Sequence, residues 1–372
     1  MLLYIFVGLL AVLGGVLYAP LIEVWEVSGL NKPFPTHEIP SNCVILKELQ
    51  ACEDIHIHHS TATAFLTCGS PQRRTQWYPP IQKMDKAGAG VDQFVKYDLA
   101  TDTYQALKVV NYPHTELVLH GIGMHENPEN PKELIIAAVN HRTSGSVIEI
   151  FTHPVGSDKL VHVETVVHEL IHSPNDIVVL SKKEFYVTND FPAMIPKWAR
   201  AIEMLAPPYT SVIHRSESGE IRNVAMLRGA NGIAVNHDAS LIYVNSYGTG
   251  RLNVYQRSAN SGNLVLMDVV KVGFGIDNPT VDYTTGEIYD TGTTNGLAAV
   301  KSYSTVGYQV PFQVSKIVNN TDSDLFYGVR FKSNPFLTGI APGMATVAAV
   351  DSKLGKALVG GFNMQGTLLC KI

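Results

Sequence analysis

The sequence predicts an all-β fold: a six-bladed β-propeller of four-stranded blades, its ring closed by pairing of N- and C-terminal strands, preceded by a hydrophobic helix. Three observations predict it. After residue 40 the chain reads as short alternating or β-branched runs punctuated by Gly, Asn, Asp and Ser. One pattern, a polar residue or two followed by apolar alternation, recurs in this stretch at intervals of about fifty residues, the size of one small sheet. Finally, 372 residues with 45% apolar content are enough for one large repetitive domain with a sizeable core.

The N-terminus comes first. From Leu2 to Ile22 no charged residue occurs, and at helical rise this stretch spans a hydrocarbon core of about 30 Å. The small-x-small site of a cleaved leader is missing, because Leu17 stands two residues before Ala19 and Pro20 follows it. The stretch is therefore read as an uncleaved signal anchor, with a cleaved signal peptide as the alternative. Residues 23–40 read as a linker and 41–372 as the propeller. Either form of the N-terminus sends the chain into the secretory route, lumenal or extracellular, and gives it a membrane partner if the segment is retained.

That route permits disulfides. Cys43 and Cys370 sit near opposite ends of the folded part, and a bridge between them would tie the chain into a ring. Cys52 and Cys68 flank a hairpin and read either as a pair or as two buried thiols. Asn319-Asn320-Thr321 is the one glycosylation pattern, with Asn319 as acceptor.

The repeat opens with Glu53-Asp54-Ile55-His56-Ile57 and returns as His120-Gly121-Ile122-Gly123-Met124, as "NDIVV" from Asn175, as "NGIAV" from Asn231 and as "DNPTV" from Asp277. Each is followed at hairpin spacing by a second strand: "TAFLTC", "ELIIAAV", "EFYVTND", "LIYVNSY" and "EIYDTGT". A sixth unit, "ATVAAVDSKLGKALVGGF", precedes the terminal "GTLLCKI". In a propeller the innermost strands start at the rim of the central channel, so the polar residues that open them converge. Turn formation is the commonest role of Asn and Asp, but it does not account for five units carrying an amide, carboxylate or imidazole at the same phase.

Glu53, Asp54, Asn175, Asp176, Asn231, Asp277 and Asn278 offer hard oxygen donors with no thiolate among them, a set suited to Ca²⁺. Neighbours on a strand face opposite sides, so Glu53 and Asp54 cannot both serve one ion, nor can Asn175 and Asp176. Two calcium ions are therefore expected. With 16% charged residues and a net charge of -5, nothing supports a sequence-independent grip on nucleic acid.

These residues carry a resemblance. From about Cys43 to Cys370 the chain resembles the paraoxonase and arylesterase family of calcium-dependent six-bladed lactonases. It does so through "EDI", "HGI", "VNH", "NDIV", "TND", "NGIAV", "DNP" and "LLCKI" in family order. The resemblance implies a catalytic calcium held by Glu53, Asn175, Asn231, Asp277 and Asn278, and a structural calcium held by Asp54, Asp176 and the main-chain carbonyl of Ile122. Strand alternation agrees for the first two pairs but does not put Asp277 and Asn278 on one ion; only the resemblance does. It further implies His120 as general base on water, His141 as its partner and Asp190 as outer support, acting on lactones and aryl esters as small-molecule substrates. Glu53 or Asp277 as the base is the alternative. Phe191 stands after "TND" where many members carry histidine, and "DTGTTNG" from Asp290 lacks the Cys-His pair of the mammalian enzymes. Organophosphate activity is not carried over.

His168-Glu169-Leu170-Ile171-His172 matches H-E-x-x-H, which binds zinc only from one face of a helix. Pro174 disfavours helix at Ser173, and "LVHVETVV" upstream alternates as a strand, so the match is read as accidental. His56 and His58 share a strand face and are read as packed or hydrogen-bonded rather than as metal ligands. Two other function classes compete with hydrolysis: a biosynthetic propeller enzyme of the strictosidine synthase kind, such as a cyclase or isomerase that retains calcium, and a non-catalytic binding propeller.

Overall fold

The computed structural model describes residues 2–30, 38–127, 129–191, 208–322 and 328–372; the side chains of residues 2–7, 9–11 and 13 also lie outside the description. Six sheets of at least four strands make up the body. Their first strands, Ile55–His58, Leu119–Glu126, Pro174–Val179, Ala230–Val235, Gly275–Val281 and Val347–Asp351, each lie against the next, and the sixth returns to the first. That closed cycle is a six-bladed propeller with these strands lining the axis. They are buried on both faces, which is why they read as near-continuous apolar runs after their polar opening.

The blades are joined by shared cores and by polar latches that repeat. Ile135 and Ile148 of one blade pack with Ile177 and Val187 of the next, and Val178 and Tyr186 pack with Ile233 and Val244. Thr67 Oγ donates to the His120 carbonyl at 3.0 Å, Thr188 to that of Asn231 at 2.6 Å and Thr346 to that of Glu53 at 2.6 Å. Asp54 Oδ2 accepts from the Ile122 N–H at 2.8 Å, and Asp176 Oδ2 from the Ile233 N–H at 2.7 Å. These bonds satisfy backbone groups that an inner strand's free edge leaves exposed. The strands come this close because of Gly232, where a Cβ would lie 2.4 Å from the Asp277 carbonyl oxygen.

Strand Cys43–Leu46 pairs antiparallel with Thr367–Lys371, with Cys43 opposite Cys370 and the two joined by a disulfide. Cys52 and Cys68 form a second disulfide, resolving the choice the sequence left open. One blade departs from four strands: Lys108–Val110 adds a fifth, parallel to Lys159–Val166, so that an edge is covered.

The N-terminal helix spans Leu2–Ser28, six residues into the segment read as linker, and its last turns sit on the propeller. Val27 is buried, and Glu23 pairs with Arg228 and Arg251, each at 2.5 Å. Among the described residues no helix is long and apolar enough to cross a membrane. Much of the anchor reading over Leu2–Ile22 rests on side chains outside the described residues. The rest of the linker, 31–37, lies outside them too. The HELIH segment forms turns, not a helix. His172 Nε2 donates to the Phe191 carbonyl at 2.8 Å and the Leu170 N–H donates to His168 Nδ1 at 3.2 Å, so both rings serve the local backbone.

Candidate active site and cation centre

The polar openings of the inner strands meet at one end of the axis. A cavity of about 480 Å³ there is lined at its floor by Glu53, His120, Asn175, Asn231 and Asp277, with Asp190 beside them. Each comes from a different blade except Asn175 and Asp190, which are joined by a 3.4 Å hydrogen bond from Asn175 Nδ2 to Asp190 Oδ2. Asn278 reaches the same floor: its Nδ2 donates to Glu53 Oε1 at 2.9 Å.

Strand alternation fails at the positions where it matters. The register of the inner hairpins shifts between Pro174 and Ile177, between Ala230 and Ile233, and between Ile276 and Pro279. Each irregularity brackets a donor residue. A bulge places an extra residue out of the ladder and re-aims its side chain, which is how adjacent Asp277 and Asn278 both flank Glu53.

Among the described residues, Glu53 Oε2, Asn175 Oδ1 and Asn278 Oδ1 are buried oxygens without a hydrogen-bond partner. Burial, and then the nearby charge of Asp54, holds the Glu53 carboxyl well above the usual range; burial and then Glu53 do the same to Asp277. Buried acceptors facing one another without donors are costly, and a cation that takes six to eight oxygens removes that cost. The donor set fits such an ion. Among the described residues no group of three or more His, Cys, Asp or Glu side chains is arranged to hold a metal. The coordination on offer therefore depends on amide oxygens beside two carboxylates.

A second carboxylate pair lies deeper. Asp176 is buried, and burial followed by the charge of Asp54 raises its pKa strongly. Each carboxylate oxygen of Asp54 and Asp176 already accepts a backbone N–H. Ile122, whose carbonyl the resemblance implicates, is fully buried beside them. Gly121 leaves room for Asp176, since a Cβ there would stand 2.3 Å from Asp176 Oδ1.

His120 and His141 form a dyad. His120 Nδ1 lies 2.9 Å from His141 Nε2, and His141 Nδ1 lies 2.8 Å from Ser146 Oγ. Burial and the Arg74 guanidinium push the His120 pKa down to about 3, and burial, His120 and Arg74 hold His141 well below its usual value. Both rings are therefore neutral at physiological pH. If His120 Nδ1–H donates to His141 Nε2 and His141 Nδ1–H to Ser146, the lone pair of His120 Nε2 faces the cavity, 3.5 Å from Glu53 Oε1. The reverse pair of tautomers satisfies the same contacts, because Ser146 Oγ can donate or accept; the first pair is the one a proton acceptor at His120 Nε2 requires.

The cavity wall is aromatic. Tyr78 and Phe362 stack with centroids 5.4 Å apart, and Tyr209, Tyr247, Tyr303 and Phe191 line the rest. Of these only Phe191 was noted in the sequence; the wall residues lie in the connections between blade strands, among them the short strand Trp77–Tyr78, the 3-10 turn Tyr247–Thr249 and the end of helix Gly296–Ser302, with no repeat to betray them. His58 pairs with Glu126 at 2.9 Å and with Thr61 at 2.7 Å, whereas His56 lies 3.4 Å from Asp54, so the two histidines share no site. Asn319 is exposed at the end of strand Gln309–Asn319.

Comparison with known proteins gives a consistent result. A family model described as Arylesterase matches residues 38–325. The chain is 32% identical over 267 residues to rat serum paraoxonase/lactonase 3, covering 71% of this chain and 72% of that protein. It is 28% identical over 265 residues to mouse serum paraoxonase/arylesterase 1, covering 70% and 71%. Among solved structures, a luciferin-regenerating enzyme superposes with a TM-score of 0.51 at 14% identity, covering 89% of this chain and 95% of that one, a likeness of fold alone.

Proposed function

Because the chain belongs to the arylesterase family of paraoxonases, we propose that it is a calcium-dependent hydrolase of lactones and aryl esters. The observation that carries this reading is the set of unpartnered buried oxygens on Glu53, Asn175 and Asn278, which adjoin His120 at the floor of an apolar cavity. Glu53, Asn175, Asn231, Asp277 and Asn278 would hold a catalytic Ca²⁺. Asp54, Asp176 and the Ile122 carbonyl would hold a structural one. Bound at the first set, the cation supplies Lewis acidity to a carbonyl oxygen and charge stabilisation to the oxyanion that develops.

The chain's own groups do the rest. The aromatic wall receives the apolar part of the ester and keeps bulk water from the floor. His120 Nε2 accepts a proton from the attacking water, and the neutral form that burial enforces is the form able to accept one. Glu53, 3.5 Å away, would stabilise the imidazolium in its ionised form, the form that a cation bound beside it favours. His141 accepts the hydrogen bond from His120 Nδ1 and holds the ring in the productive tautomer, itself oriented by Ser146. For a lactone the opened product is a hydroxy acid.

The two disulfides fit an oxidising compartment, and the proposal includes a lumenal or extracellular location, membrane attachment through the N-terminal helix and glycosylation at Asn319. The deciding experiment is a panel of γ- and δ-lactones and aryl esters with calcium and with chelator, on wild type and His120→Gln. Turnover lost in both arms supports the reading. Turnover that survives His120→Gln removes the base assignment, and turnover that survives chelation removes the metal.

A further inference from the structure

Residues 69–92 form an excursion between strands Thr63–Cys68 and Gln93–Asp98 of the first blade. It runs across the back of the histidine dyad. From it, we infer that Arg74, with Asp92 and Trp77, is a positioning clamp for His120 and His141, an inference that rests on reading His120 as the proton acceptor.

The geometry is a closed triangle. Arg74 Nη2 donates to the Leu119 carbonyl at 2.8 Å and lies 2.8 Å from Asp92 Oδ2, and that same oxygen accepts the Leu119 N–H at 3.0 Å. Both polar groups of the residue before His120 are thus held by one buried ion pair, with Arg74 and Asp92 side chains 2% and 4% exposed. Three residues on, Trp77 Nε1 donates to the His141 carbonyl at 2.7 Å. Between these anchors the Tyr78 ring sits 5.1 Å from the His120 ring and 5.8 Å from that of His141. The Arg74 guanidinium lies over the same Tyr78 ring, 4.3 Å from its centroid. Gly69 allows the approach, since a Cβ there would come 2.6 Å from Asp92 Oδ1.

Arg74 Nε and Nη1 have no hydrogen-bond partner although the side chain is buried. A residue kept only for fold stability is poorly explained by two unpaired buried N–H groups. One kept to fix the backbone on either side of Leu119, and to hold a ring against two imidazoles, is explained by the bonds it does make. Lysine does not reproduce this: a single ammonium could reach both Asp92 and the Leu119 carbonyl, as Nη2 does, but it lacks the planar guanidinium that covers the Tyr78 ring.

The test uses the full chain with calcium and four proteins: wild type, Arg74→Lys, Trp77→Phe and His120→Gln. Each is assayed for kcat and KM on one γ-lactone, for calcium affinity by titration, for melting temperature, and for the imidazole ¹⁵N resonances of the dyad. A clamp predicts that Arg74→Lys and Trp77→Phe lower kcat by about 10- to 100-fold while KM and calcium affinity stay within about three-fold. It also predicts that the ¹⁵N pattern of a single tautomer gives way to an averaged one. Unchanged kcat and ¹⁵N pattern in a folded Arg74→Lys or Trp77→Phe protein would overturn it, as would a loss of calcium affinity as large as the loss of kcat. If Arg74→Lys does not fold, Trp77→Phe decides alone. Should His120→Gln retain turnover, the base assignment has failed, and the ¹⁵N pattern still reports whether the clamp orders the two rings.

Discussion

Asn278 donates a 2.9 Å hydrogen bond to Glu53, a residue 225 positions earlier in the chain, and each of the two side chains keeps one buried oxygen with no partner. The bond spans the sixth blade, whose inner strand separates theirs. It fixes one carboxylate oxygen and leaves the other, with the Asn278 side-chain carbonyl oxygen, buried and without a hydrogen-bond partner.

Replacing Asn278 by Ala removes both the donor to Glu53 and one amide oxygen. Calcium affinity is expected to fall by about 10- to 100-fold, the range for loss of a group that orients a ligand, with the fold retained. Isothermal titration of the chelated protein reads this directly, and an unchanged affinity would exclude Asn278 from the centre.

Gly232 precedes Ile233 on an inner strand and faces Asp277–Asn278 at a distance with no space for a methyl: its Cβ would be 2.4 Å from the Asp277 carbonyl oxygen and 2.5 Å from Asn278 Cα. Gly232→Ala must displace backbone. The expected outcome is destabilisation of about 1–3 kcal/mol together with weaker calcium binding, seen as a lower melting temperature whose gain on adding calcium is reduced.

Ser146 stands opposite His141 in its hairpin, and its side chain meets His141 Nδ1 at 2.8 Å. Ser146→Ala deletes one neutral hydrogen bond worth about 1 kcal/mol, so kcat should drop about five-fold. His141→Ala, which frees the His120 ring itself, should cost more. Steady-state kinetics on the same lactone ranks the two, and an order reversed from this one would argue against the relay.

The two disulfides close loops of very different length, with sequence separations of 327 and 16. On the chain-entropy account a short loop contributes about 3 kcal/mol and one beyond a hundred residues more than about 4.7. The Cys43→Ser/Cys370→Ser pair should therefore melt well below Cys52→Ser/Cys68→Ser. The first pair also unclasps the strand that closes the ring. Equal melting temperatures would mean that strand pairing alone seals the propeller.

Glu23 bridges Arg228 and Arg251 with side chains 17%, 22% and 40% exposed. Partly exposed pairs contribute little, about 0–1 kcal/mol, so Glu23→Gln should leave the melting temperature nearly unchanged. It should, however, raise hydrogen exchange in the last turns of the N-terminal helix. Exchange identical to wild type would assign the docking to Val27 instead.

By itself the sequence determined the propeller, because its evidence is local: strand period, hairpin spacing and a phase of polar residues repeated blade after blade are written in neighbouring positions. The pairing of Cys43 with Cys370 was suggested by their places at either end of the repeats. The residues opening the inner strands were legible as oxygen donors for the same reason. Tertiary structure decided what alternation forbids. Asp277 and Asn278 share a floor only because the inner hairpin slips register between Ile276 and Pro279, and a bulge depends on the partner strand. It also decided the Cys52–Cys68 bond, the fifth strand at Lys108–Val110, the aromatic wall and the Arg74–Asp92–Leu119 triangle. Those contacts join segments with no common period, brought together when the ring closes, so no stretch of sequence read along its own length carries them.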